Sequence, residues 1–525
     1  MKDRSESRVQ GPESGQHDGA VTPTVRRHGK PLFVRPLIVV VWLCFVGWLI
    51  RYEAYPEYFT RSLDGYESLL SRDLLVMDSW MRILFNGTPI GYSHTSMSSD
   101  ESDPSNQYTV ENDVQLAFTV MGEQTPVRVS SSASLDATYD LQRFDFALSA
   151  GMGTMRITAV RGRNRRFNVE MNTGRYRHSS VITIADNTVL YSPMTEMAVK
   201  QLEPGQSLTV RTIDPASMSP IDVVITALRR ELLSIGTNTY DATVLSTEYL
   251  GMEVASWIDA EGRVLRQETP FGWTLEKCTV EEALATMENT RETTDLLAGM
   301  AVPCHGAIPD PRNSRRLVLR LVGVAFSRKE LERPPRQSVL SITGNIAEIT
   351  VLSGACETDA APALSEEEAR RFLASSPYIQ SADSKIKAQS LKITGEATSD
   401  RAKARAIYRW VYRNVTKEMT ASMPSALDVL HTRKGDCNEH TYLFVALARA
   451  AGLPAKVVVG LAYHEGSFYY HAWPSVHVGH WLEMDPTWGQ AAVDATHIAF
   501  VEGELANQLQ LVKIMGKLEI EVVGE

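Results

Sequence analysis

The apolar residues fall into three regimes along the chain. The first is a single run, Pro36 to Ile50 (PLIVVVWLCFVGWLI), bounded by Arg35 and Arg51. A helix of that length spans about 22 Å, against a hydrocarbon core of about 30 Å. Leu32, Phe33 and Val34 lengthen it and Arg35 can snorkel, so a transmembrane signal anchor is expected over residues 31–52. A cleaved signal peptide is the alternative, but no A-x-A-like site follows Ile50. Arg26, Arg27, Lys30 and Arg35 precede the run, while only Arg51 and Arg61 follow closely. The positive-inside rule then leaves residues 1–30, polar and suited to a disordered tail, in the cytoplasm, and the bulk of the chain outside.

The second regime alternates with period two, from about residue 60 to 290, the signature of half-buried strands. Trp80 to Phe85 and Pro89 to Met97 flank Asn86-Gly87, a type I′ hairpin signal. Tyr108 to Val120, Val127 to Leu135, Thr154 to Val160, Ser207 to Ile213 and Thr239 to Ser246 read as further strands. Only Ile221 to Leu233 reads as a helix here. Many short strands with one helix predict an antiparallel β-rich domain. The stretch WIDAEGRVLRQETPFGW resembles the curved sheet of lipoprotein carriers, which would imply an apolar concave face. Arg161, Arg163, Arg165 and Arg166 cluster in one turn and read as a solvated hairpin tip. Residues 291–358 carry two more strand-like stretches, RRLVLRLVG and SVLSITGNIAEITVL, and then a linker. They are either a small separate β module or an edge of the next domain.

The third regime, residues 359–525, is helical before it is stranded. Ser365 to Glu368 forms a capping box that opens a helix. Ala404, Ile407, Val411 and Val415 mark the buried stripe of a helix over Asp400 to Val415. In GDCNEHTYLFVALARAAGLP, Asp436 is a natural N-cap with Glu439 as its partner at N3, which puts Cys437 at N1. Gly452 and Pro454 stop that helix. A thiol facing unpaired N–H groups and the positive end of a helix should have a lowered pKa. Strands follow at Lys456 to Tyr463, Phe468 to Val478 and Trp481 to Asp485. His471 and Asp485 thus fall on adjacent strands, close to opposite each other. An imidazole needs an acceptor on one nitrogen to leave the other facing a thiol, and Asp485 supplies it. Cys437, His471 and Asp485 therefore form a candidate nucleophile, base and orienting carboxylate.

Three motifs make this specific. GDCNEHT, YYHAWPSVHV and MDPTWGQ resemble the ordered motifs of the transglutaminase-like superfamily, and AVDATHI, with Asp494 and His497, resembles an extension common in its bacterial members. The resemblance implies a papain-like α+β fold in the C-terminal domain. It also implies Cys437 as nucleophile, His471 as general base and acid, and Asp485 as orienter. Pro474-Ser475 departs from the pattern, and Pro474 suggests a strand that is interrupted or at an edge there. The expected chemistry is attack of a thiolate on an amide or ester carbonyl, with water or an amine resolving the acyl-enzyme. The Cys437 N–H would be the first oxyanion donor, with Asn438, Trp488 and Gln490 as candidates for the second.

Composition narrows the rest. A 525-residue chain that is 43% hydrophobic has material for about three domains. A net charge of −10 disfavours a nucleic-acid partner. Five cysteines exclude a disulfide framework, though one bridge among Cys278, Cys304 and Cys356 is open. Cys44 belongs to the apolar run. His464, His471, His477 and His480 crowd one hairpin, but no HExxH-type helix accompanies them, so no metal is expected. No EF-hand loop and no P-loop occurs, and no cofactor is expected. The sequence therefore points to a single-pass protein of a bacterial inner membrane whose extracytoplasmic thiol enzyme, a cysteine protease, amidase or acyltransferase, acts on a protein or peptide. The alternative is an inactive domain of the same type that serves as a binding scaffold.

Overall fold

The computed structural model describes residues 61–62 and 77–524, with interruptions of which the longest are 190–198, 290–300, 355–363, 419–424 and 505–510. The expected tail and anchor lie outside the described residues. Among the described residues, no helix is long and apolar enough to cross a membrane. Strands dominate, so the chain as a whole is mostly β, with helices concentrated in its C-terminal part.

Residues 61–277 form one large, almost wholly antiparallel sheet. Its order is set by a single junction: Trp273–Lys277 pairs with Met77–Phe85. From there one meander runs outward to Arg177–Thr183, and the other runs back to Ser207–Asp214. The Asn86-Gly87 hairpin is as expected, with φ of +48° and +80°, the left-handed pair that a type I′ turn requires. The expected helix at Ile221 to Leu233 is instead the centre of a 17-residue strand, Ser219–Ile235, paired on both edges. Val223, Ile225 and Ala227 are buried at period two, and a bulge at Ala227/Arg229 resets the register before Leu233 and Ile235. The β-branched half of the segment and its two partners outweigh the helix propensity of LRRELL. A helix that the alternation hid does occur, at Val280–Asn289. Thr279 and Glu282 cap it reciprocally. A cavity on this sheet, about 590 Å³, is lined by polar side chains such as Asp113, Arg128 and Asp145 around Trp80 and His94.

The second sheet has nine strands and serves the C-terminal domain. Val302–His305, Arg316–Val322, Gln337–Thr343 and Ile346–Leu352 join it together with Glu519–Gly524, so residues 302–352 share a sheet with the domain that follows them. We label the elements around the motifs α1 (Asp400–Asn414), α2 (Cys437–Ala450), β1 (Ala455–His464), β2 (Ser467–His477), β3 (Trp481–Glu483) and β4 (His497–Glu502). α1 buries Ala404, Ile407 and Val411 as its stripe predicts. α2 is almost entirely buried from Glu439 to Ala448 and packs on α1, β1 and β2. β1 is central, with β2 on one edge and β4 on the other. Of the two expectations for Pro474, an interruption and an edge, the second holds: β2 runs through it, and it pairs with Val457 of β1. Its carbonyl accepts from Met484 N–H on the far edge, so its missing donor faces that edge, where the ladder to β3 begins only at Ser475.

Candidate active site

The start of α2 supplies its own cap. Asp436 accepts from Asn438 N–H at 2.8 Å, and Glu439 accepts from Asp436 N–H at 2.9 Å. A Cβ at Gly435 would strike Glu439, so this box requires glycine there. Cys437 is the first helical residue, as expected.

The outer edge of β2 pairs with Val302–Pro303 near one end and with β3 near the other. In the gap between them the helix meets the strand. Ala472 N–H hydrogen-bonds the Cys437 thiol, and Ala472 C=O accepts from Thr441 Oγ1 at 3.1 Å. The thiol is therefore held beside the residue that follows His471.

His471 is buried and donates through Nε2 to Asp485 Oδ2 at 2.9 Å. That proton assignment leaves Nδ1 as the basic nitrogen. Asp485 is fully buried. It does not lie on a strand as expected: β3 ends at Glu483, and Asp485 pairs with Gln490 in an isolated bridge that closes a tight turn. The turn aims two N–H groups at the carboxylate, since Asp485 Oδ1 accepts from Thr487 at 2.7 Å and from Trp488 at 3.0 Å. The Trp488 ring stacks on His471 with centroids 4.3 Å apart, and the Arg312 guanidinium lies 4.2 Å from the centroid of the Trp488 ring.

Burial and charge set the protonation states. Desolvation pushes the Cys437 thiol well above its usual value, and the charge of Asp436 adds to the rise, while the Ala472 N–H opposes it. This reverses the expected fall. Cys437 keeps some exposed surface, but the dense protein around it and three nearby carboxylates outweigh the helix terminus. Burial also lowers the His471 pKa, against the pull of Asp485. Desolvation opposes ionisation of Asp485, but His471 and His497 hold it far below the carboxylate range. The resting pair is thus a neutral thiol and a neutral imidazole.

Of the crowded histidines, His464, His477 and His480 do not join His471. The one that does is His497, at the start of β4, whose Nε2 lies 3.4 Å from Asp485 Oδ2. His471, Asp485 and His497 are the one such His/carboxylate cluster among the described residues, within 4.8 Å of each other, and hydrogen bonds among themselves account for that spacing. Gln490 is held by Asp494: its Nε2 donates to the Asp494 carboxylate at 2.7 Å and its Oε1 accepts from Asp494 N–H at 3.0 Å, which commits one of its two amide hydrogens. Asn438 accepts from Tyr470 OH at 2.9 Å, which fixes its amide and leaves its NH₂ end as a donor. Cys278 and Cys304 are free thiols, and burial pushes Cys278 up to about 11. Cys44 and Cys356 lie outside the described residues.

Residues 387–486, which hold Cys437, His471 and Asp485, match the family model of the transglutaminase-like superfamily. The C-terminal domain is transglutaminase-like. The match stops just after Asp485, so Asp494 and His497 lie beyond it and Arg312 ahead of it. Kyphoscoliosis peptidase of Mus musculus is 34% identical over 82 residues, which cover 14% of this chain and only 12% of that protein. A candidate cysteine protease from Cytophaga hutchinsonii shares 20% identity, with 40% of this chain and 81% of that one covered and a TM-score of 0.27. The periplasmic domain of TgpA from Pseudomonas aeruginosa shares 15%, with 35% and 93% covered and a TM-score of 0.24. A β-barrel-like protein from Brucella abortus shares 7%, with 39% and 95% covered and a TM-score of 0.27. Beyond the matched residues the site is extended by Asp494 and His497 of the AVDATHI motif, and by Arg312, which no sequence motif marks.

Proposed function

We propose that this chain is a thiol enzyme that cleaves or exchanges amide bonds of a protein or peptide, working outside the cytoplasm and tethered to a bacterial inner membrane through residues 36–50. The observation that carries the reading is the buried His471–Asp485 hydrogen bond beside the backbone N–H that holds the Cys437 thiol. From a neutral pair, the thiol proton passes to His471 Nδ1 as sulfur bonds to the substrate carbonyl carbon. The carbonyl oxygen becomes an oxyanion, for which the Cys437 N–H at the start of α2 would be the first donor. Collapse breaks the C–N bond, His471 protonates the departing amine, and a thioester remains. Water or a second amine then attacks, gives its proton to His471, and releases the sulfur, which recovers that proton.

The test is alkylation of the full chain by iodoacetamide, with the modified cysteine located by peptide mass mapping. Cys437 should react with a rate that rises with pH, and His471→Ala should slow it by about 10²-fold or more. A Cys437 rate indifferent to His471→Ala would falsify the enzyme reading. A binding-only reading has one observation in its favour, the burial that disfavours a resting thiolate at Cys437. Offering a primary amine to the acylated enzyme separates hydrolysis from transfer.

A further inference from the structure

The site has a second layer of buried charge that the chemistry above does not use. His497 lies between two carboxylates. Its Nδ1 is 3.1 Å from Asp494 Oδ1, and its Nε2 is 3.4 Å from the same Asp485 oxygen that His471 uses. A neutral imidazole has one N–H and satisfies one of them, whereas an imidazolium satisfies both. Burial alone would lower the His497 pKa, yet the two carboxylates raise it above the ordinary value. Asp494 is itself saturated: Thr496 N–H, Thr496 Oγ1 and Gln490 Nε2 donate to it, and so does Arg312 Nη1 at 2.9 Å. Arg312 also donates to the Tyr463 carbonyl and covers the Trp488 ring, which covers His471. The contacts close a circuit from His471 through Asp485, His497, Asp494, Arg312 and Trp488 back to His471.

The charges in this circuit balance. Asp485 and Asp494 contribute two anions, and His497 and Arg312 two cations. Without His497, Asp485 would be a buried anion with no cation in contact, held only by a neutral His471 and the Thr487 and Trp488 N–H groups, which is destabilising. With the second layer in place, Asp485 stays ionised while His471 stays neutral.

We propose that Arg312, Asp494 and His497 are positioning residues that hold Asp485 as an anion against His471 and keep His471 an unprotonated base. The proposal rests on the thiol-enzyme reading. The charged groups that act on His471 are Asp485, His497 and Arg312; Asp436 and Glu439 of α2 act on the Cys437 thiol, and His440 of α2 and Tyr408 of α1 feel Asp485. After burial and the opposing Asp485, the charges of His497 and Arg312 are the influences that lower the basicity of His471. It follows that Arg312, supplied by residues 302–352, belongs to the working site.

The experiment is the pH dependence of Cys437 alkylation in the full chain, for wild type, His497→Gln and Arg312→Gln. Removing either cation makes His471 easier to protonate. The midpoint of the pH–rate curve should therefore move up by about one pH unit, with up to about a tenfold lower rate below it. Arg312→Lys, which keeps the charge beside Asp494, should bring the midpoint back toward wild type. His497 is fully enclosed, and its variant is at risk of misfolding. The Arg312 side chain is about one-third exposed (35%), so Arg312→Gln is less disruptive than a change at the enclosed His497 and keeps the question decidable. Curves that superimpose on wild type for Arg312→Gln, while His471→Ala still abolishes reactivity, overturn the positioning layer alone. A wild-type rate that does not depend on His471 overturns the thiol-enzyme reading and this proposal with it.

Discussion

Four N–H groups point at the Asp485 carboxylate, from His471, His497, Thr487 and Trp488. Asp485→Asn keeps the volume but sets an NH₂ against donors, so we expect a loss of about 10²–10⁴-fold in Cys437 reactivity or turnover, read by the same alkylation assay. The residue scale also carries a stability prediction. His497 has a raised folded pKa, so its contribution is complete below the unfolded imidazole value near about 6.5 and is lost as pH rises through the folded one. His497→Gln removes that contribution. Its melting temperature should fall furthest below wild type near about pH 5.5, with the deficit narrowing toward about pH 9. A deficit that does not change with pH would contradict a charged His497. Cys437, His471 and Asp485 were legible in the sequence because each sits in a short local motif. Arg312 was not, because its partner Asp494 lies 182 residues away and nothing around Arg312 marks it. The direction of the thiol pKa was also misread, since a cap motif reports the helix end but not the depth of burial around it.

At the scale of elements, the site depends on how closely β1 approaches β4. Gly460 of β1 stands opposite His471 on β2 and opposite Ala499 on β4. A Cβ there would run into the Ile498 carbonyl, which is backbone and cannot turn aside. Gly460→Ala should push β4, and His497 with it, away from Asp485, at a cost of about 1–3 kcal/mol in denaturant unfolding and with slower alkylation of Cys437. A variant of wild-type stability and reactivity would show that the sheet absorbs the methyl group. The α2 cap, the β1–β2 hairpin and the Asn86-Gly87 turn could be read from sequence because each is decided within a few residues. Ser219–Ile235 could not, because its sequence satisfies two periods and distant strands choose between them. The end of β3 was not legible for a related reason: Leu482 and Met484 are buried at period two, so the alternation runs on past Glu483, where the pairing with β2 ends.

For the whole molecule, the β strands of residues 302–352 and the C-terminal domain are one structural unit. Arg336 is the clearest bond between them. It is buried and donates to Glu483 at 3.0 Å, to the Leu352 carbonyl at 2.9 Å and to the His497 carbonyl, while Glu483 also accepts from Trp473 Nε1 at 2.6 Å. Arg336→Ala would strand the Glu483 carboxylate, and we expect a loss of about 3–5 kcal/mol by equilibrium unfolding. The same arrangement predicts that a fragment starting at residue 359 aggregates, whereas one starting at 301 remains monomeric. Sedimentation of the two compares them directly, and a monomeric 359 fragment would refute the shared sheet as a requirement.

The pairing of Glu519–Gly524 between Arg316–Val322 and Val302–His305 has a consequence in time. During synthesis at about 5–20 residues per second, the two earlier strands leave the ribosome of order ten seconds or more before the strand that separates them. Through that interval Arg316–Val322, with its row of Leu317, Leu319 and Leu321, offers an open edge and an uncovered apolar face to any neighbouring chain. A nascent chain of this protein is therefore most vulnerable to mispairing between the synthesis of Val322 and that of Glu519, when its large first sheet can already be complete.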